Sequence, residues 1–386
     1  MTPLKISLGF SISFFVLLVG LLLRHCIAAK ISGYVKELKD FFTNEKLEKD
    51  LDKYNGSIKL ATRKFTGKEL EKATSNYDDS RIIATGEHGK MYKGILQDER
   101  VVAVKKFKSE NRFVTEFKVL SRINHRHVVR LLGYCVDSRQ QTLVYDFINN
   151  DTLYKHIHEK NQGSSTLSFE SRMKIAAEIA AALAYMHSST SNSTIIHLNV
   201  NSKRILLDEN YTARLAYFRA AKVLQGKTHV QGIVLGSPGY LDPESIQSIT
   251  SSEKNDVYSF GVVLVELLTS QKAFCKGRPE ADKHLASFFL RLVEKSRLDQ
   301  ILDGEIIKGE NPETAKEVAG LAKCCLGSRN ERPSMKEVAR KLEELRHSSA
   351  AKEMAKSNFS QSPKTRDNLL GSPSQAQVLG VRRGFD

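Results

Sequence analysis

The sequence predicts an α+β fold, with a small, mostly-β lobe followed by a larger helical lobe. Two observations carry this: strand-like segments come early, and helical spacing dominates later. Val101–Phe107 is rich in β-branched residues and follows the turn-forming Asp98-Glu99, as a strand requires. Phe113–Ile123 then carries apolar residues at helical spacing, and Met173–Met186 is an Ala-rich helix. Val257–Leu268 is apolar nearly all round, which marks a helix buried within a lobe.

The 386 residues leave room for one large two-lobed domain once an apolar N-terminus and a polar tail are set aside. The chain divides into a transmembrane or signal-anchor segment (1–30), a juxtamembrane segment (31–76), the domain (77–346) and a tail (347–386). The tail is rich in Ser, Gln, Asn and Lys with little apolar periodicity, and is expected to be disordered. Ile6–Leu23 is an unbroken run of apolar or small residues, about long enough to span a bilayer. Two readings fit it. A signal peptide cleaved near Ile27-Ala28-Ala29 is one. The other is an uncleaved anchor, favoured by the basic residues downstream (Arg24, Lys30, Lys36, Lys39), which place that side in the cytoplasm. Tyr34, Val35, Leu38, Phe41, Phe42 and Leu51 then recur at helical period among Lys and Glu, in a segment that either lies on the membrane surface or leads into the domain.

The net charge of +15 is spread along the chain, and no aromatic–basic module accompanies it. It is read as a solvated surface facing anionic lipid head groups, not as a nucleic-acid interface. Five cysteines (Cys26, Cys135, Cys275, Cys324, Cys325) form no CxxC pair, which argues for a reducing compartment and against a zinc site or disulfide framework. Cys324 and Cys325 are both expected in the core.

A long ordered series of motifs runs through the domain. Phe65-Thr66, Glu69-Leu70 and Ala73-Thr74 open it; Tyr92-Lys93-Gly94, Val102-Ala103-Val104-Lys105-Lys106 and Ile123-Asn124-His125 follow. Then come Leu143-Val144-Tyr145-Asp146-Phe147, Ile205-Leu206-Leu207-Asp208, Gly239-Tyr240-Leu241-Asp242-Pro243-Glu244, Asp256-Val257-Tyr258 and Arg332-Pro333-Ser334. In this order they resemble the two-lobed protein kinase fold, and specifically the wall-associated-kinase-like members of the plant receptor-like kinases. The resemblance covers about three quarters of the chain.

It implies a nucleotide cleft at Gly86, Gly89, Lys105, Glu116, Asp146 and Phe147. Within it, Lys105 pairs with phosphate and Glu116 orients Lys105, while the hinge at Asp146-Phe147 offers backbone hydrogen bonds to adenine. The phosphate loop keeps two glycines but has Ala84 and Met91 where the family has glycine and valine. The catalytic loop departs further. Leu198, Asn199, Asn201 and Arg204 stand where a working kinase of this family has Arg, Asp, Lys and Asn, and Tyr217-Phe218-Arg219 replaces Asp-Phe-Gly. An amide at Asn199 cannot take a proton as a carboxylate does. Asn201 supplies no positive charge. Arg204 and Tyr217 are poor substitutes for the hard anionic oxygens that Mg²⁺ requires, and Arg219 removes a hinge glycine. By the same resemblance, His197 and Phe218 stack with Leu120 as an internal column, Glu244 pairs with Arg332, and Asp256 anchors the catalytic-loop backbone. Thr228 and Ser237 are expected regulatory sites, where phosphorylation beside Lys222 and Lys227 would order the segment and strengthen partner binding.

The expected function is therefore that of a pseudokinase, an adaptor or decoy held at the inner face of the plasma membrane by a single span. Its expected partners are an active kinase, an immune receptor or a pathogen effector. No cofactor or metal is required on this reading. ATP held without Mg²⁺ by Lys105, Arg204 and Arg219 stays open against a cleft filled by Tyr217 and Met91. The competing readings are a serine/threonine kinase with an unconventional site and a metal-independent nucleotide switch.

Overall fold

The computed structural model describes residues 62–87, 89–137, 140–159, 167–188, 194–308 and 312–360, together with residue 49. The expected N-terminal span, nearly all of the juxtamembrane stretch up to residue 61, and residues 361–386 lie outside the described residues. Among the described residues no helix is long and apolar enough to cross a membrane. The described residues up to Arg346 form one compact unit, and those from His347 onward belong to another.

The first unit has the expected two lobes. Its small lobe is a six-stranded sheet of β1 (Arg63–Lys64), β2 (Ile82–Gly86), β3 (Gly89–Ile95), β4 (Val101–Phe107), β5 (Leu131–Asp137) and β6 (Gln140–Asp146). The spatial order is β1-β5-β6-β4-β3-β2, and all pairs are antiparallel except β1 with β5. Successive side chains along a strand point to opposite faces, and on β4 both faces are covered. Ala103 and Phe107 join the main core with Phe113 and Phe117 of the helix Glu110–Leu120. Val102 and Val104 pack instead with Phe65, Leu70 and Ala73. Coverage on both sides explains why this segment reads as an almost continuous apolar run.

The same packing moves a boundary. Residues 63–76 were expected to be juxtamembrane, yet they cover the outer face of the sheet. The helix Gly67–Ala73 starts with a capping box in which Thr66 and Glu69 satisfy each other's backbone N–H, and it buries Leu70 and Ala73. β1 lies so close to β5 that a Cβ on Gly133 would stand 2.0 Å from the Arg63 carbonyl oxygen. The small lobe therefore begins near residue 62 and not at 77, because without this segment Val102 and Val104 would face water.

The larger lobe is built on the helices Phe169–His187, Glu253–Thr269 and Pro312–Leu326. Nearly every residue of the second is buried, as its composition predicts. Gly261 lets the third helix approach it closely, since a Cβ there would meet the Cys325 Cβ at 2.8 Å. Cys325 is accordingly a core residue, and burial pushes its thiol up to about 12. Cys324 is exposed, contrary to expectation, because the next residue on a helix faces a direction about 100° away. The last helix runs from Met335 to Ser360, so residues 347–360 of the tail expected to be disordered have helical backbone. Val338, Leu342 and Leu345 anchor its first turns in the core, and extending a formed helix costs little per residue.

His127 is buried, with Nδ1 3.1 Å from the Ala213 carbonyl oxygen. Burial pushes it down from 6.5 to about 4; its hydrogen bond to Ala213 opposes this, and the charges of Arg126, His125 and Arg214 reinforce it. A depressed histidine favours folding in its neutral form. Its contribution is complete above about pH 6.5 and declines as pH falls from there towards 4. The urea midpoint should therefore drop between about pH 7 and pH 4.5. A His127→Gln variant should lose less over that interval, and equal losses would remove His127 as the cause.

Candidate functional site

The site lies in the cleft between the two lobes. It is assembled from the β2–β3 hairpin, the centre of β4, the helix Glu110–Leu120, the end of β6, and two loops of the large lobe. Gly89 closes the hairpin where β3 crosses Lys106; a Cβ there would stand 2.1 Å from the Lys106 carbonyl oxygen, so only glycine fits. Gly86 meets no such crowding, with its nearest neighbour at 3.9 Å.

Antiparallel register sets Lys105 opposite Met91 on one side and Leu143 on the other, with its side chain reaching the helix beyond. Its Nζ lies 2.6 Å from Glu116 Oε2 in a pair that is almost fully buried. The other Glu116 oxygen accepts a 2.8 Å bond from the Tyr145 hydroxyl. Burial and the Glu116 charge both push the Tyr145 phenol well above its ordinary range, so it stays protonated as the donor. With one oxygen taken by each partner, Glu116 is fixed in place, and so is Lys105.

The loop between β7 (Ile195–Ile196) and β8 (Ile205–Leu207) carries Leu198, Asn199, Asn201 and Arg204, the positions that the resemblance assigns to a catalytic loop. As expected, Asp256 holds this loop: its two oxygens accept from the backbone N–H of His197 at 2.7 Å and of Leu198 at 2.8 Å. The His197 ring stands edge-on to Phe218 at 4.9 Å, and both are fully buried together with Leu120. Burial lowers the His197 pKa, outweighing the Asp256 charge and the Ala216 hydrogen bond, so the ring is neutral. Its Nε2 then donates to the Ala216 carbonyl oxygen at 3.1 Å.

Asn199 and Asn201 do not line the cleft's cavities. They form a closed polar knot with the segment that follows. Ser237 Oγ donates to Asn199 Oδ1 at 2.8 Å, and Asn201 Nδ2 donates to the same oxygen at 3.1 Å and to Ser237 Oγ at 3.3 Å. Asn201 Oδ1 also caps the short turn Ser202–Arg204 by accepting from Lys203 N at 3.1 Å. Ser237 is therefore tied to the catalytic loop, while Thr228 is exposed and bonds to the neighbouring His229. The two expected regulatory positions are thus in unlike surroundings.

Tyr217 takes the left-handed conformation, with φ 70° and ψ 63°, which a bulky residue adopts only when its surroundings impose it. The Arg204 guanidinium sits over its ring at 4.0 Å, and Lys105 approaches the same ring at 6.0 Å. Burial draws the Arg204 pKa below its ordinary range, and the neighbouring Arg219 acts in the same direction against Tyr217.

Two cavities lie in the cleft. The larger, about 360 Å³, is lined by Ala103, Lys105, Glu116, Asp146, Phe147 and Leu206, with Met91 and Tyr217 at its edge. Met91 and Tyr217 therefore line the space and leave it open. The smaller, about 140 Å³, is lined by Gly86, Gly89, Lys90, Lys105, Arg204, Tyr217 and Arg219 among others, and no carboxylate contributes to it. Among the described residues there is no group of three or more His, Cys, Asp or Glu that could hold a metal ion. A guanidinium and a phenol at the two positions the fold offers for Mg²⁺ do not fit that ion, which takes anionic oxygen.

Arg332 pairs with Glu244 as expected, but a second carboxylate holds it more closely. Its main partner is Asp242, through Nη1 at 2.8 Å and Nη2 at 2.9 Å, while Glu244 reaches it only at 3.5 Å and stays half exposed. Asp242 caps the helix Pro243–Ser248, so its side chain already faces inward.

Strand order, cleft and ion pair together define a protein kinase fold. The family model for protein tyrosine and serine/threonine kinases matches residues 78–342, and the chain belongs to that family. Among its relatives are wall-associated receptor kinases of Arabidopsis thaliana. Wall-associated receptor kinase 1 is 45% identical over 300 residues, covering 76% of this chain and 40% of that protein. Wall-associated receptor kinase 2 is 46% identical over 274 residues, or 69% and 37% respectively. Wall-associated receptor kinase-like 16 is 42% identical over 315 residues, covering 80% of this chain and 71% of that protein. The chain spans about two fifths of the length of wall-associated receptor kinase 1.

Sequence reasoning did not find the Tyr145 hydroxyl on Glu116, the Ser237 knot, or Lys90 at the mouth of the smaller cavity. The register of β3 against β4 carried the last of these, since Lys90 stands opposite Lys106, one position from Lys105.

Proposed function

We propose that this chain is a membrane-associated pseudokinase of receptor-like type, which signals by binding protein partners and does not transfer phosphate. One observation carries the reading. At the end of the cleft where a kinase places its base and metal ligands, the side chains are amides, a phenol and two guanidiniums. Phosphoryl transfer depends on positioning and on neutralising charge with metal ions. Here Asn199 is tied to Ser237 and Asn201, and it cannot act as a general base. The parts that hold the lobes together are intact: the Lys105–Glu116 pair, the His197–Phe218 contact and the Asp256 anchor. A partner that recognises the shape of a kinase would find it here. The relatives' names as wall-associated receptor kinases support membrane association; a single-pass anchor with the domain in the cytoplasm, and a role as adaptor or decoy in cell-surface or immune signalling, belong to this proposal.

A second reading, an active serine/threonine kinase with an unconventional site, draws on the 2.6 Å Lys105–Glu116 pair and on identities near 45% to wall-associated receptor kinases. Radiolabel transfer from γ-labelled ATP with purified protein separates the two. No incorporation above that of a Lys105→Met control is expected. Incorporation that this substitution abolishes would establish the enzyme.

A further inference from the structure

The smaller cavity has a charge imbalance that the fold leaves uncorrected. Four cationic side chains line it: Lys90, Lys105, Arg204 and Arg219. Two of them are neutralised by protein carboxylates, Lys105 by Glu116 at 2.6 Å and Lys90 by Asp79 at 3.0 Å. Arg204 and Arg219 are not, since among the described residues no carboxylate lies within ion-pair distance of either. Arg204 Nε is buried with no hydrogen-bond partner among them. The guanidinium lies over the Tyr217 ring, whose face attracts a cation but does not cancel its charge, and the Glu116 charge offsets it only in part. A half-buried guanidinium with an unsatisfied N–H, beside a second guanidinium, is costly unless an anion completes it.

The adjoining 360 Å³ cavity supplies the other half of a ligand. It is apolar on its walls, at Ala103, Val129 and Leu206, and it opens onto the chain at Asp146, Phe147 and Ile148. Such a slot accepts a flat, uncharged ring system, with backbone groups along one edge to orient it. An anion site and a ring site share Lys105, Met91 and Tyr217 as common lining.

The geometry points to a nucleoside polyphosphate bound in its metal-free form, with Arg204 and Arg219 taking over the charge neutralisation that Mg²⁺ would otherwise provide. This rests on the pseudokinase reading and deepens it. The consequence is a reversed metal dependence. The free nucleoside triphosphate carries two more negative charges than its Mg²⁺ complex, and a divalent cation entering this cavity would meet two guanidiniums with no ion-pair partner among the described residues. Mg²⁺ therefore competes with the protein for the phosphates and weakens binding.

The test is thermal-shift and calorimetric titration of the full-length chain with ATP, sodium tripolyphosphate and adenosine, each in EDTA and in excess Mg²⁺. ATP in EDTA should bind most tightly, and excess Mg²⁺ should lower its affinity. Tripolyphosphate and adenosine should each bind more weakly than ATP. Arg204→Ala combined with Arg219→Ala should weaken ATP in EDTA by about a hundredfold, tenfold for each guanidinium lost, with a smaller effect on adenosine. Arg204→Lys should recover part of the loss. Stabilisation that requires Mg²⁺, no response to ATP in EDTA, or a double variant that binds ATP as well as the parent would each overturn the proposal. A response to tripolyphosphate equal to that for ATP would overturn the assignment to a nucleotide. The pseudokinase reading fails separately. An absent ATP response without phosphate transfer leaves it standing, whereas Mg²⁺-dependent binding with transfer sinks both.

Discussion

Substituting Arg332 with Ala should destabilise the domain by about 3–5 kcal/mol, a large share of the ~5–15 kcal/mol that holds a typical domain folded. Arg332 and Asp242 are almost wholly buried. The guanidinium makes a two-pronged contact with Asp242 at 2.8 and 2.9 Å, donates to the Gly327 carbonyl at 2.9 Å, and lies over the Tyr258 ring at 5.0 Å. Removing it leaves the Asp242 carboxylate in the interior with only the more exposed Arg329, at 3.2 Å, as a charged partner. Burial by itself pushes the Asp242 carboxyl up, but the hydrogen bonds and charge of Arg332, joined by hydrogen bonds from Ser245 and the Glu244 N–H, outweigh it, and the net position is below the ordinary value. A depressed carboxyl stabilises the fold above its unfolded pKa of about 3.9 and loses that contribution as pH falls through its folded value. The variant should lose this acid dependence as well as stability. Arg332→Lys should recover only part, since one ammonium cannot supply two parallel donors. Urea unfolding checks each point, and a loss below about 1 kcal/mol for the alanine variant would show that the pair is not a structural anchor.

Much of this arrangement was legible in the sequence, and the reasons are physical. Strand and helix periods gave the two lobes in order, because both faces of β4 and the whole circumference of the helix Glu253–Thr269 are buried. The residues that gather in the cleft were placed by resemblance to the kinase family: Gly86, Gly89, Lys105, Glu116, Asp146, Phe147, Arg204, Tyr217 and Arg219 all line one or other of its cavities. Contacts between segments far apart in the chain were not legible. Ser237 reaches Asn199 across 38 positions and Tyr145 reaches Glu116 across 29, and no local pattern announces either. The choice of Asp242 over Glu244 for Arg332 depends on which residue caps a short helix, a difference of two positions that decides which side chain turns inward. The motifs from Phe65 to Thr74 carried the early start of the lobe, yet the boundary was drawn at 77 for a related reason. A seven-residue helix has little periodicity of its own, and Gly67–Ala73 shows its purpose only when Val102 and Val104 are seen behind it.

On the pseudokinase reading, phosphoryl transfer should appear only when several substitutions are made together. Neither the native chain nor Tyr217→Asp alone should transfer phosphate, because a carboxylate at 217 would still face the Arg204 guanidinium, now 4.0 Å from the Tyr217 ring. It would form an ion pair in place of a metal site. Asn199→Asp alone should also fail, since it supplies a base with no metal to bring the phosphate to it. A general base is worth about 10²–10⁴ in rate, and each group that neutralises charge in the transition state about 10²–10³. Contributions from residues that act as a unit do not add, so single restorations fall below detection. The joint variant Asn199→Asp, Asn201→Lys, Arg204→Asn, Tyr217→Asp and Arg219→Gly removes both uncompensated guanidiniums and supplies a base, a phosphate-facing lysine, two metal ligands and a hinge glycine. The Lys105–Glu116 pair and the His197–Phe218 contact already hold the rest of the cleft in place. Mg²⁺-dependent transfer should therefore appear in the joint variant, and should vanish again with Lys105→Met. A joint variant that folds, shown by a cooperative urea transition, yet stays inert would mean that the defect lies beyond these five positions.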